Sequence, residues 1–566
     1  MPVKGSLIAS LKSRSGCKTC KARRVKCGEE KPNCNRCTST GRKCEYECTV
    51  SGATLYTISP SSFPNTAWRE RRAFAYYFQH AASFVGGGLD GDFWRTIVPQ
   101  VCRSEPAVWD AIISISALFE GPEPFPDFVS LRPKNPGILT QNHRDALDWY
   151  SRSVTSVRQH IERGAMDVFV GLISCVLFIS IESLQGATTE ALQLYEQGVH
   201  LILALRAQVA SGAMPPAKAF LLEDIIVPIF VRLGAIAFTA SGAPVASLLP
   251  ETEHVLTQEF VSLKSARDAI VLLSTEAQLL ESICEEHVFQ TSASHVPLEL
   301  INRQMILSAK LKSWHVAFTK LMASLHSKGS LSPEQSSTAA LLWTYHETVF
   351  IILETCISPS QVLIDAYLPN FQTIVEQSSI ALDAYTQPDG TQPPFTFEIS
   401  VGLPIWFTCL RCREAGIRRM ALDLLRRAPQ VQGVYKLPPV VTFGEKVIML
   451  EETYGSAINE AQEMTNSTTP GSTDALVDYL SHSRGKSSDV SSPTDMSTEV
   501  LVPEEARIKP IGVFRPREGI PPVIREEDVA KWNADLDQDF LRFSRNKYDM
   551  ASDTWQVVHE CVPIDF

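Results

Sequence analysis

The chain has 566 residues, is 44% hydrophobic and 20% charged, and carries a formal net charge of −11. Its length exceeds what one core can hold and implies roughly two to four domains, while the ordinary composition excludes a collagen-like or wholly disordered chain. The acidic total argues against a nucleic-acid partner only until it is divided: residues 1–50 hold twelve Lys or Arg against four Glu, a balance of +8 that leaves −19 for the remainder.

Residues 1–16 read as a basic N-terminal tail, with an apolar stretch at 7–11 too short for the core of a signal peptide. Next comes the most informative stretch. Six of the fourteen cysteines, Cys17, Cys20, Cys27, Cys34, Cys37 and Cys44, are separated by two, six, six, two and six residues, so the second half repeats the first. Two copies of C-x2-C-x6-C point to metal. The x2 spacing lets two thiolates from one helical turn reach a single ion, and soft sulfur ligands favour tetrahedral zinc. Six thiolates give two zinc ions four ligands each only if two of them bridge, and the repeat suggests the first cysteine of each half, Cys17 and Cys34. Each half, 17–26 and 34–43, is expected to form a short helix and an extended return, joined by the loop 28–33. Cys48 is the odd thiol and is read as non-ligating. The ferredoxin spacing C-x2-C-x2-C-x3-C-P is absent, which speaks against an iron–sulfur protein.

Between their cysteines the halves differ in charge. The first carries Lys18, Lys21, Arg23, Arg24 and Lys26, whereas the second carries Arg36, Arg42 and Lys43. The first half is therefore expected to meet a polyanion and the second to brace it. These residues resemble the fungal binuclear zinc-cluster transcription factors in cysteine spacing, in the basic run 21–26 and in Pro32 of the central loop. The resemblance implies a DNA-binding domain over 17–48 with two structural zinc ions and an address in the nucleus. It further implies that Arg23 and Arg24 read a G·C-rich triplet of double-stranded DNA in the major groove, where arginine can bond guanine bidentately. Lys18, Lys21 and Lys26 are assigned to phosphates.

Residues 49–66 read as a linker rich in Ser, Thr and Pro, without the a/d heptads by which many such factors pair on DNA. That leaves the helical body as the place where a homodimer could form. From 67 to 464 the chain is dominated by 3.6-residue periodicity and predicts an all-α domain of a dozen or more helices. Ser104 is expected to cap a helix whose face is Val108, Ile112, Ile115 and Phe119. A second stripe is Leu147, Tyr150, Val154, Val157 and Ile161. The stretch 404–425, which contains Cys409-x2-Cys412, reads as one helix with buried thiols. The longest apolar run, 168–181, stops short of the roughly 20 residues that a bilayer requires. Phrases spread over 68–455, among them ERRAFAYYFQHAAS and PIWFTCLRCREAGIRRMALDLLRR, look like the fungal-specific transcription factor domain, which implies a regulatory body without shared catalytic residues.

Residues 465–500, rich in Ser and Thr with Thr469-Pro470 and Ser492-Pro493, are too poor in apolar side chains to fold alone and read as a disordered linker or a long loop open to phosphorylation. Residues 501–566 regain aromatic content and are expected to pack back on the helical domain, with 526–543 as a surface helix. Two other patterns fail. The segment 86–91 matches G-x-G-x-x-G with Asp110 about twenty residues on, but a helical pattern precedes it where a strand is required. His346-Glu347 begins an H-E-x-x-H motif that Phe350 breaks. No catalytic motif remains, so the expected function is non-enzymatic: a zinc-dependent, sequence-specific regulator of RNA polymerase II genes, working with the transcription machinery or co-regulators, for a metabolic or biosynthetic pathway. The alternative is a protein-interaction co-regulator whose cluster does not bind DNA.

Overall fold

The computed structural model describes residues 18–23, 25–28, 34–44, 68–121, 140–241, 244–249, 259–291, 296–358, 360–465, 502–532, 535–549 and 554–564. The chain divides into two compact units, Met1–Thr66 and Ala67–Phe566. The tail expected over 1–16, the linker over 49–66, the Ser/Thr-rich stretch beyond 465, and Cys17, Arg24 and Cys48 lie outside the described residues.

The first unit contains two short helices, α1 (Lys18–Ala22) and α2 (Asn35–Thr38). Helices this short are unstable alone, because nucleation costs more than one turn of hydrogen bonds returns. Their support is described with the site below.

Most of the described residues of the second unit between Trp68 and Thr465 are helical. α3 (Trp68–Tyr76) passes through a π-helical turn into α4 (Ala82–Val85), and a second π turn leads into α5 (Val98–Val101). Four longer helices follow: α6 (Pro106–Glu120), α7 (Gln141–Glu162), α8 (Val168–Gln185) and α9 (Thr188–Ala210). After α10 (Pro216–Phe220) come α11 (Val227–Ser241), α12 (Leu263–Thr291), α13 (Leu298–Ser327), α14 (Pro333–Thr355) and α15 (Leu368–Asp383). α16 (Gly402–Arg411), α17 (Ala415–Arg427) and α18 (Leu437–Thr465) close the helical body.

α6 is central. Every residue from Ala107 to Phe119 is buried, so the predicted face is only part of a helix enclosed all round. Hydrogen bonds tie it to its neighbours: Ser114 Oγ donates to the Ala146 carbonyl at 2.8 Å, Ser116 Oγ to that of Ala73 at 2.6 Å, and Ser153 Oγ on α7 to that of Ala107 at 2.6 Å. Ser104 does not cap it. Glu105 takes the N-cap position without a side-chain bond, and the Ser104 hydroxyl donates back to the Val101 carbonyl. α7 forms as expected but is rotated: His143, Ala146, Trp149 and Ser153 are buried, whereas Ile161 of the expected stripe is exposed.

α8 is apolar all round and long enough to cross a membrane by composition, and most of it is buried inside the fold. Asp167 caps its start by accepting the Phe169 N–H at 2.8 Å, and Gly186, at φ 77°, ends it in the left-handed conformation. The stretch 404–425 is two helices. Cys412 is extended, and Glu414 caps α17 by accepting the Gly416 and Ile417 N–H groups at 3.0 and 2.5 Å.

Two small sheets complete the unit. β1 (Phe395–Thr396) pairs parallel with β2 (Val431–Gln432), which pairs antiparallel with β3 (Tyr435–Lys436). The C-terminal segment is an antiparallel sheet in the order β4 (Lys509–Phe514), β5 (Asp539–Asp549), β6 (Thr554–Ile564). This corrects the surface helix expected over 526–543: among the described residues of that stretch only Glu526–Ala530 is helical, and 539–549 is strand. Leu541, Phe543, Val562 and Ile564 pack on Phe443, Val447, Leu450 and Tyr454 of α18, while Phe540 and Cys561 form a cluster with Ile524. Burial on both faces leaves no clean polar alternation to read.

Candidate metal centre and nucleic-acid interface

The first unit has a core made of sulfur. Cys20, Cys27, Cys34 and Cys37 are buried, Cys44 packs against them, and no aliphatic or aromatic side chain joins the cluster among the described residues. α2 begins where Cys34, extended at φ −74° and ψ 144°, accepts the Cys37 and Thr38 N–H groups at its carbonyl, at 2.9 and 3.1 Å. That turn brings Cys34 and Cys37 to one side, as the x2 spacing requires.

Two groups of ligand-capable sulfurs result: Cys20, Cys27 and Cys34, and Cys34, Cys37 and Cys44, the atoms of each lying within 4.8 Å of one another. Cys34 belongs to both. Its Sγ stands 3.7 Å from that of Cys20, and Cys20 Sγ stands 3.8 Å from that of Cys37. Two ligands of a tetrahedral zinc with bonds of about 2.3 Å are separated by about 3.8 Å, so the Cys20–Cys34 spacing fits a shared ion. The Cys34 N–H also points at Cys44 Sγ, at 3.3 Å. Burial opposes ionisation of Cys34, but hydrogen bonds from the Cys37 backbone and from the Cys37, Cys20 and Cys27 side chains outweigh it and bring its pKa down to about 6. The thiolate is the form that binds metal. No disulfide joins any two of the described cysteines.

The halves are tied together by polar contacts that the sequence did not announce. Thr19 Oγ1 on α1 donates to the Lys43 carbonyl at 2.8 Å, and Arg23 Nη1 donates to Thr40 Oγ1 at 3.3 Å. Thr40 Oγ1 in turn donates to the Arg36 carbonyl at 2.8 Å. No spacing rule marks a threonine for such a role, because the contact exists only once the halves face each other. Of the residues expected to meet DNA, Lys18 and Lys21 lie on α1, Arg23 is half-buried just after it, and Lys26 is exposed in the irregular segment 25–28. Arg36, Arg42 and Lys43 of the second half are exposed.

Elsewhere the rejected patterns have structural explanations. Cys409 and Cys412 are buried, with thiol pKa values pushed up by burial to about 12 and about 11, and Cys409 offers its carbonyl to Arg418 Nε at 2.7 Å. They are inert core thiols. The segment 86–91 is a turn between helices, and its Asp90 is committed to a buried ion network, bonded to Arg267 at 2.9 Å and to Arg232. Asp110 pairs with Arg152 of α7.

Residues 15–51 match the model of the Fungal Zn(2)-Cys(6) binuclear cluster domain, a domain that binds two zinc ions. The chain is 26% identical over 428 residues to the aspercryptin biosynthesis cluster-specific transcription regulator atnN of Emericella nidulans, a match spanning 69% of this chain and 66% of that protein. It is 32% identical over 132 residues to the Zn(2)-C6 fungal-type transcription factor afumD of Aspergillus fumigatus, spanning 20% and 34% of the two chains. To the transcription regulator lscL of Purpureocillium lilacinum it is 23% identical over 375 residues, spanning 60% of this chain and 86% of the relative. The chain thus spans about two thirds of the first relative's length and one third of the second's. No solved structure matches.

Proposed function

We infer that this chain, which carries a fungal Zn(2)-Cys(6) cluster domain and is similar along much of its length to fungal transcription regulators, is itself a zinc-dependent, sequence-specific regulator of RNA polymerase II transcription. The observation that carries the reading is Cys34, whose sulfur belongs to two cysteine triads beside a helix bearing Lys18 and Lys21. Cys17 and Cys34 would bridge two zinc ions, Cys20 and Cys27 would complete the ligands of one, and Cys37 and Cys44 those of the other. Fully ligated by thiolates, such ions would have no open position for catalysis. Their contribution is to close a unit whose sulfur core cannot hold it alone.

With the halves closed, α1 presents the basic run. Arg23 and Arg24 read a G·C-rich triplet, while Lys18, Lys21 and Lys26 neutralise phosphates and set the salt dependence. The naming of one relative for a biosynthesis cluster supports a target among the genes of a metabolic or biosynthetic pathway. The protein acts in the nucleus, and the helical body is its regulatory and pairing region, the surface for co-regulators. Selection of randomised duplexes by the full zinc-loaded chain tests the reading. A recovered G·C-rich triplet that depends on Arg23 and Arg24 supports it. Recovery of no sequence preference, with retained zinc, would favour a co-regulator that binds proteins and not DNA.

A further inference from the structure

The helical body and the C-terminal sheet line an open-mouthed cavity of about 580 Å³, within the size range of small-molecule sites, roughly 300–1,000 Å³. One wall is α16 with Leu403 and Trp406, a second is α18 with Val440 and Phe443, and a third is β4 with Phe514. Trp406 and Phe443 lie with their rings 5.4 Å apart. Most of the polar groups around it are already engaged: the Tyr345 hydroxyl donates to the Ser400 carbonyl at 3.2 Å, Gln432 Oε1 accepts the Gly402 N–H at 3.1 Å, and Arg515 is paired with Asp539 at 2.8 Å.

Arg542 is the exception. It lines the cavity from β5 and is partly buried, and its guanidinium forms no ion pair or hydrogen bond with any described residue. The remaining carboxylate of the lining, Glu518, is exposed at the rim. A guanidinium that faces a largely apolar cavity without a counter-ion is left with part of its desolvation uncompensated, and an anion entering the cavity would relieve it.

We propose that this cavity binds an amphipathic organic carboxylate, its apolar body against Leu403, Trp406, Val440 and Phe443 and its carboxylate on Arg542. Because the walls belong to both the helical body and the C-terminal sheet, the ligand would hold the two together and bias any equilibrium in which the sheet detaches. The inference does not depend on DNA binding.

Titration calorimetry of the full zinc-loaded chain with dodecanoate, and with dodecanol as its uncharged counterpart, tests it. Dodecanoate is expected to saturate one site per chain. Arg542→Gln should weaken dodecanoate about tenfold or more and leave dodecanol unchanged, whereas Arg542→Lys should retain most of the affinity. Leu403→Trp and Val440→Trp, each filling the cavity from a different wall, should abolish binding of both probes. Thermal unfolding of every variant identifies any that fail to fold, and the two filling variants stand in for each other. Absence of saturable dodecanoate binding, equal weakening of both probes by Arg542→Gln, or normal binding in a folded cavity-filled variant would overturn the proposal.

Discussion

Arg23 Nη1 donates to Thr40 Oγ1 at 3.3 Å, joining the basic run of the first half of the cluster to the second half. The bond uses one nitrogen of the guanidinium and leaves its remaining donors available for the base reading proposed above. Thr40 therefore holds Arg23 in place without occupying the donors that the proposed reading needs. In Thr40→Val the zinc content should be unchanged, while affinity for the selected duplex falls by about 1 kcal/mol, the worth of one hydrogen bond, with non-specific affinity kept. A rise in specific affinity in binding titrations would show instead that the threonine competes with DNA.

The sharing of Cys34 between two triads makes the cysteines unequal. On the proposed ligand assignment, removing Cys34 would take a ligand from both ions, whereas removing Cys20 would take one ligand from one. Metal analysis should find Cys34→Ala depleted of both zinc ions and Cys20→Ala retaining more. Equal depletion in the two variants would contradict a shared sulfur.

Base reading and phosphate contact separate by their salt response. Arg24→Ala should cost about 1–3 kcal/mol on the selected duplex and relax its base preference, whereas Lys18→Ala should weaken all duplexes alike and reduce the salt slope by about one. Titrations at several salt concentrations measure both, and the reverse pattern would exchange the two roles.

Glu451 of α18 anchors the C-terminal segment from inside the fold. Its Oε1 accepts the Ile508 N–H at 2.7 Å and an Arg413 Nη2 donor at 2.8 Å, and its Oε2 lies 2.6 Å from Arg418 Nη2. Burial alone would raise this carboxyl, but the two guanidiniums and the hydrogen bonds outweigh it and hold its pKa below the usual range. A depressed carboxylate contributes stability that is complete above its unfolded pKa, about 4.3, and is lost as pH falls through the lower folded value. Glu451→Gln should therefore cost about 3–5 kcal/mol at pH 7 by leaving two buried guanidiniums unpaired. The difference between wild type and variant in denaturant titrations should shrink below pH 4; a difference independent of pH would remove the charge from the explanation.

Much of the helical body could be read from its periodicity, because an amphipathic helix records its buried face in its own spacing. The failures were of two kinds. α7 was placed correctly but its face was set by Trp149 and Ala146, since what a helix buries depends on the neighbour it meets, and Tyr150 instead turns to Glu182. β5 and β6 were missed because Phe540 and Leu541 face opposite clusters, which erases alternation.

The sequence by itself determined the metal chemistry, the basic character of the cluster and the helical nature of the body. These follow from ligand spacing, charge and periodicity, all of them local along the chain. Only the tertiary structure decided that Thr40 holds Arg23 and that a C-terminal sheet lines a cavity over α16 and α18 around Arg542. Each of these joins residues distant in sequence, and the energy that selects them arises from burial and pairing after the chain has folded.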